Sequence, residues 1–135
     1  MRNEVMPNIF NQLPSKLQSI IKLVDKVGLI GGTITLNPTP PYTQTTSDKL
    51  WLFALPEVGI VKNTHPYRDE GQTYEYFAEQ SIIPDPTFTS GIIEHFWASR
   101  TPSAISDSWV VILPHGGTMG AGGNETAKVL FGFAV

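Results

Sequence analysis

Residues able to do chemistry come in short clusters here, and each cluster lacks a partner its chemistry needs. His115-Gly116-Gly117 follows an apolar run as an oxyanion loop would, but the Gly-x-Ser-x-Gly elbow that carries the serine nucleophile is absent. Gly31-Gly32-Thr33-Ile34 has the form of a threonine-nucleophile segment without the second Thr-Asp and lysine segment that would complete it. Gly116 to Asn124 holds five glycines in nine residues yet has no Gly-Lys-Ser/Thr ending to cradle a phosphate, and reads as a flexible loop. His65 with Asp69 and Glu70 matches no established metal spacing. Glu94 and His95 are neighbours that a strand would point to opposite faces. Asp85, between Pro84 and Pro86, is a turn residue first. No catalytic, cofactor-binding or metal-binding residue is expected, and the chain is read as a non-enzyme.

The totals point the same way. A chain of 135 residues suits one domain with a real core, and with no cysteine it has neither disulfides nor thiolate zinc sites. Charged residues make up 16% of the chain, below the usual quarter, with net charge −3. The basic residues are scattered, which argues against nucleic-acid binding. The residues from Met1 to Pro7 have no apolar core of the kind a signal peptide requires, and no run is long enough to span a membrane, so neither is expected.

The elements that would position these residues begin with a helix predicted over 15–27. Ser15 is its N-cap, Gln18 its capping-box partner and Gly28 its C′ residue. Phe10, Leu13, Leu17, Ile20, Val24 and Val27 continue as a heptad seam interrupted by Pro14, which suits either a capped helix lying on a sheet or a short self-association stem that Ile21 and Leu23 on its flanks would widen. Thr33–Leu36 is a short strand candidate, and Asn37 to Asp48 reads as an extended Pro/Thr connector. From Lys49 on, apolar runs alternate with turn residues. Leu50–Ala54, Gly59–Lys62, Ser108–Leu113 and Lys128–Val135 are strands, with a turn at Pro56–Val58. The stretches 73–80 and 91–99 suit either element, since Tyr74, Phe77 and Ala78 fit a helix while Tyr74, Tyr76 and Ala78 alternate as a strand. The strand formers and turn residues around them favour strands. The expected fold is mainly β: a sandwich or jelly-roll-like body of about seven strands over 29–135, led by one amphipathic helix in an N-terminal arm over 1–28.

Trp51 and Trp109 lie within apolar strands and are expected in the core, while exposed Trp or Tyr could stack on sugar rings. That use defines the alternative function, a carbohydrate-binding β-sandwich module. The apolar terminal strand, with Leu130, Phe131 and Phe133, asks for a partner to pack against, as does the seam from Phe10 to Val27.

The apolar stem (Phe10 to Val27), the connector (Asn37 to Asp48) and the β body ending in Lys128 to Val135 give a layout that resembles small bacteriophage virion proteins of the decoration, short-fibre or tail type. That resemblance implies a structural homo-oligomer, a trimer by preference, made in the host cytoplasm and built into a virion. Its interface would use Phe10, Leu13, Leu17, Ile20, Val24, Val27, Leu130, Phe131 and Phe133. Its partners would be its own copies, other virion proteins and a host surface glycan, with no nucleic acid, membrane or cofactor.

Overall fold

Proline sets the first break in the chain. In the computed structural model, which describes residues 3–30, 39–60, 66–79, 97–103, 108–113, 118–122 and 127–135, Pro14 divides helix α1 (Val5–Gln12) from the single turn α2 (Ser15–Gln18). Pro7 is tolerated as the third residue of α1, where the missing N–H would have had no partner within the helix. At α2 the N-cap is Pro14, not Ser15, and the Gln18 amide turns back to donate to the Leu13 carbonyl at 2.7 Å.

The helix expected over 15–27 stops at Gln18, and strand β1 (Val24–Leu29) takes its second half. Val24 and Val27 fit a helical spacing, but a β-branched pair suits a strand better once a partner exists. The partner is β2 (Thr43–Asp48), antiparallel to β1 in unbroken register from Val24 opposite Asp48 to Leu29 opposite Thr43. Half of the expected connector is therefore a strand, and Gly28 is a strand residue instead of a helix stop. Cross-strand hydrogen bonds outweighed the local helical pattern, as tertiary context often does.

The apolar run at Leu50 contracts to β3 (Trp51–Leu52), which pairs antiparallel with β8 (Phe131–Gly132). Residues 55–59 form the expected turn, which extends through Gly59 and Ile60 where a strand was expected to begin. A 3-10 turn (Tyr67–Glu70) and a short helix α3 (Glu75–Glu79) follow, so the middle of the stretch read as a strand over 73–80 is helical. The third sheet has the order β6-β5-β4-β7, made of β4 (Trp97–Pro102), β5 (Ser108–Ile112), β6 (Thr118–Gly122) and β7 (Lys128–Val129). Strand β6 lies within the stretch read as a glycine-rich loop. The long terminal strand is broken into β7, β8 and an isolated bridge between Ala134 and Lys22. The chain is thus β-rich, with eight strands in three sheets among the described residues. No helix among them is long and apolar enough to cross a membrane.

Side-chain alternation on β5 divides the core. Val110 and Ile112 pack with Leu55 and Val58, while Val111 turns to the other face against Ala121. A third cluster, built on Met6, Ile21, Leu50, Leu52 and Ala98, receives Phe10, Leu13 and Leu17 from the two N-terminal helices and Phe131 from β8. Trp51 is buried as expected, Trp109 is half-buried and Trp97 is exposed.

Gly132 is fixed by close approach. A Cβ there would lie 2.8 Å from Trp51 Nε1 and 3.1 Å from Phe53 Cζ. Gly132→Ala is expected to cost about 1–3 kcal/mol through overpacking, read as a lower urea midpoint. An unchanged midpoint would show that the β3–β8 contact is looser than this.

Candidate functional site

Four charged side chains from four parts of the chain meet beneath a cleft of about 470 Å³ beside β1. Alternation on β1 turns Lys26 inward, and the turn after β3 carries Glu57. The 3-10 turn ends at Glu70, and β4 supplies Arg100. Lys26, Glu57 and Glu70 are all buried.

Arg100 is the hub. Its five N–H donors make five bonds: Nη1 to the Leu52 carbonyl (2.9 Å) and Glu57 Oε2 (2.5 Å), Nη2 to the Val27 (3.1 Å) and Glu70 (2.7 Å) carbonyls, and Nε to Val27 (3.3 Å). One planar fork thus holds β1, β3, the Glu57 turn and the 3-10 turn together. Lys26 Nζ donates to the other Glu57 oxygen at 2.7 Å and to the Tyr74 hydroxyl at 2.5 Å. It also lies 4.5 Å from the centre of the Trp51 ring, close enough for a cation–π contact. Glu57 Oε2 also accepts the Ala54 N–H at 3.0 Å.

The two carboxyls are driven apart. Burial pushes both upward. At Glu57 the Arg100 guanidinium, the Lys26 ammonium and the Ala54 N–H outweigh burial and hold the carboxyl below the usual carboxylate range. At Glu70 burial dominates, so its carboxyl stands above that range. The Thr101 hydroxyl (2.5 Å), the Leu29 N–H (3.2 Å) and the Arg100 charge pull it back without offsetting burial, and Glu57 adds repulsion. A low and a high carboxyl side by side is the arrangement general acid–base chemistry uses. Here both are buried and tied to structural donors, so the cluster acts as a clasp between elements.

The cleft above is lined by Asp25, Asp69, Gln72, Thr73, Glu75 and one face of Tyr74, among others. The Tyr74 ring is held edge-on against Phe53 with its hydroxyl on Lys26, so it presents a fixed aromatic wall. Tyr76, two residues on, is 67% exposed.

Of the residues expected at an oligomer interface, Phe10, Leu13, Leu17 and Phe131 pack inward on the first core cluster. Val24 and Leu130 are half-buried, and Val27 lies on the exposed face of β1. Ile20 (51% exposed) and Phe133 (41%) do face outward. The Lys22–Ala134 bridge draws their segments together and adds Leu23, 64% exposed, across from Phe133.

Of the His65, Asp69 and Glu70 group, His65 lies outside the described residues. Asp69 accepts the Tyr42 hydroxyl at 2.9 Å, and Glu70 belongs to the clasp. Gly31–Ile34, Asp85, Glu94, His95, His115 and the strand candidate over 33–36 also lie outside them. No group of three metal-ligating side chains is found among the described residues. No family model, curated protein or solved structure matches the chain.

Sequence reading missed Lys26, Glu57 and Arg100. The signal available was Glu57 itself, the one charge in the otherwise apolar run from Leu50 to Val61. A lone charge in such a run is buried with a counter-charge or disrupts the core.

Proposed function

We propose that this protein is a non-enzymatic assembly protein that works as a homo-oligomer, as a structural component of a phage-like particle of the decoration, fibre or tail kind. The observation that carries the assembly reading is the exposure of Ile20, Leu23 and Phe133 on the two segments that the Lys22–Ala134 bridge joins. Single exposed apolar residues are ordinary, but several large ones on two segments drawn together from opposite ends of the sequence suit a contact surface. Repeated by symmetry, such a patch closes a ring or a dimer without new chemistry. The particle assignment rests further on the β-rich body and the low charge content.

Leu23→Ser combined with Phe133→Ser is expected to convert the oligomer to a monomer in light scattering while leaving the circular dichroism spectrum intact. An oligomer of unchanged mass in that variant would remove this patch from the interface.

A second reading, binding of a saccharide in the cleft, is favoured by the partly exposed Tyr74 lining it together with the carboxylates of Asp25 and Glu75. A sugar stacked on Tyr74 would perturb the Trp51 emission through Lys26. A glycan array without a hit and a flat fluorescence titration would set it aside.

A further inference from the structure

We propose that Glu70 is a proton-operated clasp: taking up one proton fastens the segment 66–79 against β1 and β4, and releasing it loosens that segment and the cleft wall it forms. The geometry lies in how this segment is attached. Phe77 is its apolar foothold, packed on the Leu55–Ile112 cluster and edge-on to Phe53. The Tyr74 ring adds a second edge-on contact with Phe53. The segment is further held by polar attachments: Thr73 Oγ1 to the Pro56 carbonyl (2.9 Å), Tyr74 N–H to the Glu57 carbonyl (3.0 Å), the Tyr74 hydroxyl to Lys26, and Asp69 to Tyr42. Glu70 is the deepest of them at 1% exposure, with one carboxyl oxygen on the Leu29 N–H and the other on Thr101. A segment held by two rings and otherwise by polar groups is docked in part by interactions whose strength depends on charge.

The charged and titratable groups around Glu70 set the direction. From β4 comes Arg100, which grips the Glu70 backbone carbonyl, and from the turn after β3 comes Glu57, of like charge. From β1 come Lys26, already committed to Glu57, and Asp25 on the cleft rim. Asp69 and Arg68 precede Glu70 on its own turn, Asp69 engaged with Tyr42 from the segment before β2, and Tyr74 follows on Lys26. With Lys26 and Arg100 both drawn to Glu57, Glu70 has hydrogen bonds and no salt-bridge partner of its own among the described residues.

Because the Glu70 carboxyl stands above the usual range when docked, its contribution is fully present below the ordinary glutamate value and is lost as pH rises through the raised one. Glu57 runs oppositely, its contribution being lost as pH falls through its lowered value. Docking is therefore strongest in the window between the two.

Hydrogen exchange at the Leu29 amide, whose acceptor is Glu70, reads the clasp directly. In the full-length chain its protection factor is expected to fall with rising pH, by at most about tenfold per pH unit for one proton, while β5 amides hold theirs. Glu70→Gln removes the charge, keeps an oxygen for the Leu29 N–H and turns the Thr101 bond round so that the amide N–H donates to the hydroxyl oxygen. It is expected to hold Leu29 protection high and level across that range. Thr101→Val, which removes a donor favouring the ionised form, is expected to move the transition to higher pH. Equal pH dependence in Glu70→Gln and wild type, or an unmoved transition in Thr101→Val, would overturn the proposal. Neither result depends on whether the chain assembles.

Discussion

Glu57→Ala is expected to cost about 3–5 kcal/mol, the range for breaking a buried ion pair by removing one partner. That is a large part of the roughly 5–15 kcal/mol that holds a domain folded. The substitution leaves the buried Lys26 Nζ with a tyrosine hydroxyl and the half-buried Arg100 with carbonyls, and it strips the Ala54 N–H of its acceptor. Glu57→Gln, which retains an acceptor for Ala54, is expected to fall between alanine and wild type. Urea titration at two pH values checks the mechanism. Wild type loses the Glu57 contribution as pH falls through the lowered carboxyl value, so the alanine penalty shrinks in acid. A penalty below about 1 kcal/mol, or one indifferent to acid, would mean the network behaves like an exposed pair.

Leu55→Ala is the second large effect, about 2–5 kcal/mol, for a different reason. Leu55 is 2% exposed in the cluster with Val58, Val110 and Ile112, and its N–H donates to Thr101 while its carbonyl accepts from Ile60. The backbone is pinned on both sides, so the cavity left by the side chain collapses poorly. The loss is expected as a lower urea midpoint at unchanged slope, independent of pH, in contrast to Glu57→Ala. A loss confined to one end of the pH range would place Leu55 in the charge network and not in the apolar core.

The β-rich character was legible because the apolar run around Val110 and Val111 has one physical solution, a strand covered on both faces. Pro14 as a helix break and the turn at Pro56 to Val58 were legible for equally local reasons. Residues 24–29 were not: their period suits a helix until Thr43–Asp48 arrives from a distance to pair with them. Thr73 to Gln80 failed the other way, since its aromatic residues read as strand formers while Glu75–Glu79 forms a helical turn that seats Phe77 on the core. The clasp depends on Lys26, Glu57, Glu70 and Arg100, drawn from positions up to 74 residues apart, counted from Lys26 to Arg100 (100 − 26). No local pattern records such a meeting. At the apolar ends the expectation of outward-facing groups described Ile20 and Phe133, whereas Phe10, Leu13, Leu17 and Phe131 turn inward to the chain's own core.

The central claim is that the patch across the Lys22–Ala134 bridge joins copies of this chain. Sedimentation equilibrium of the wild-type chain across low to high micromolar concentration tests it most directly. The account predicts one closed oligomer, a trimer by preference, whose mass does not change with dilution across that range. A single species of 14.8 kDa throughout would contradict it.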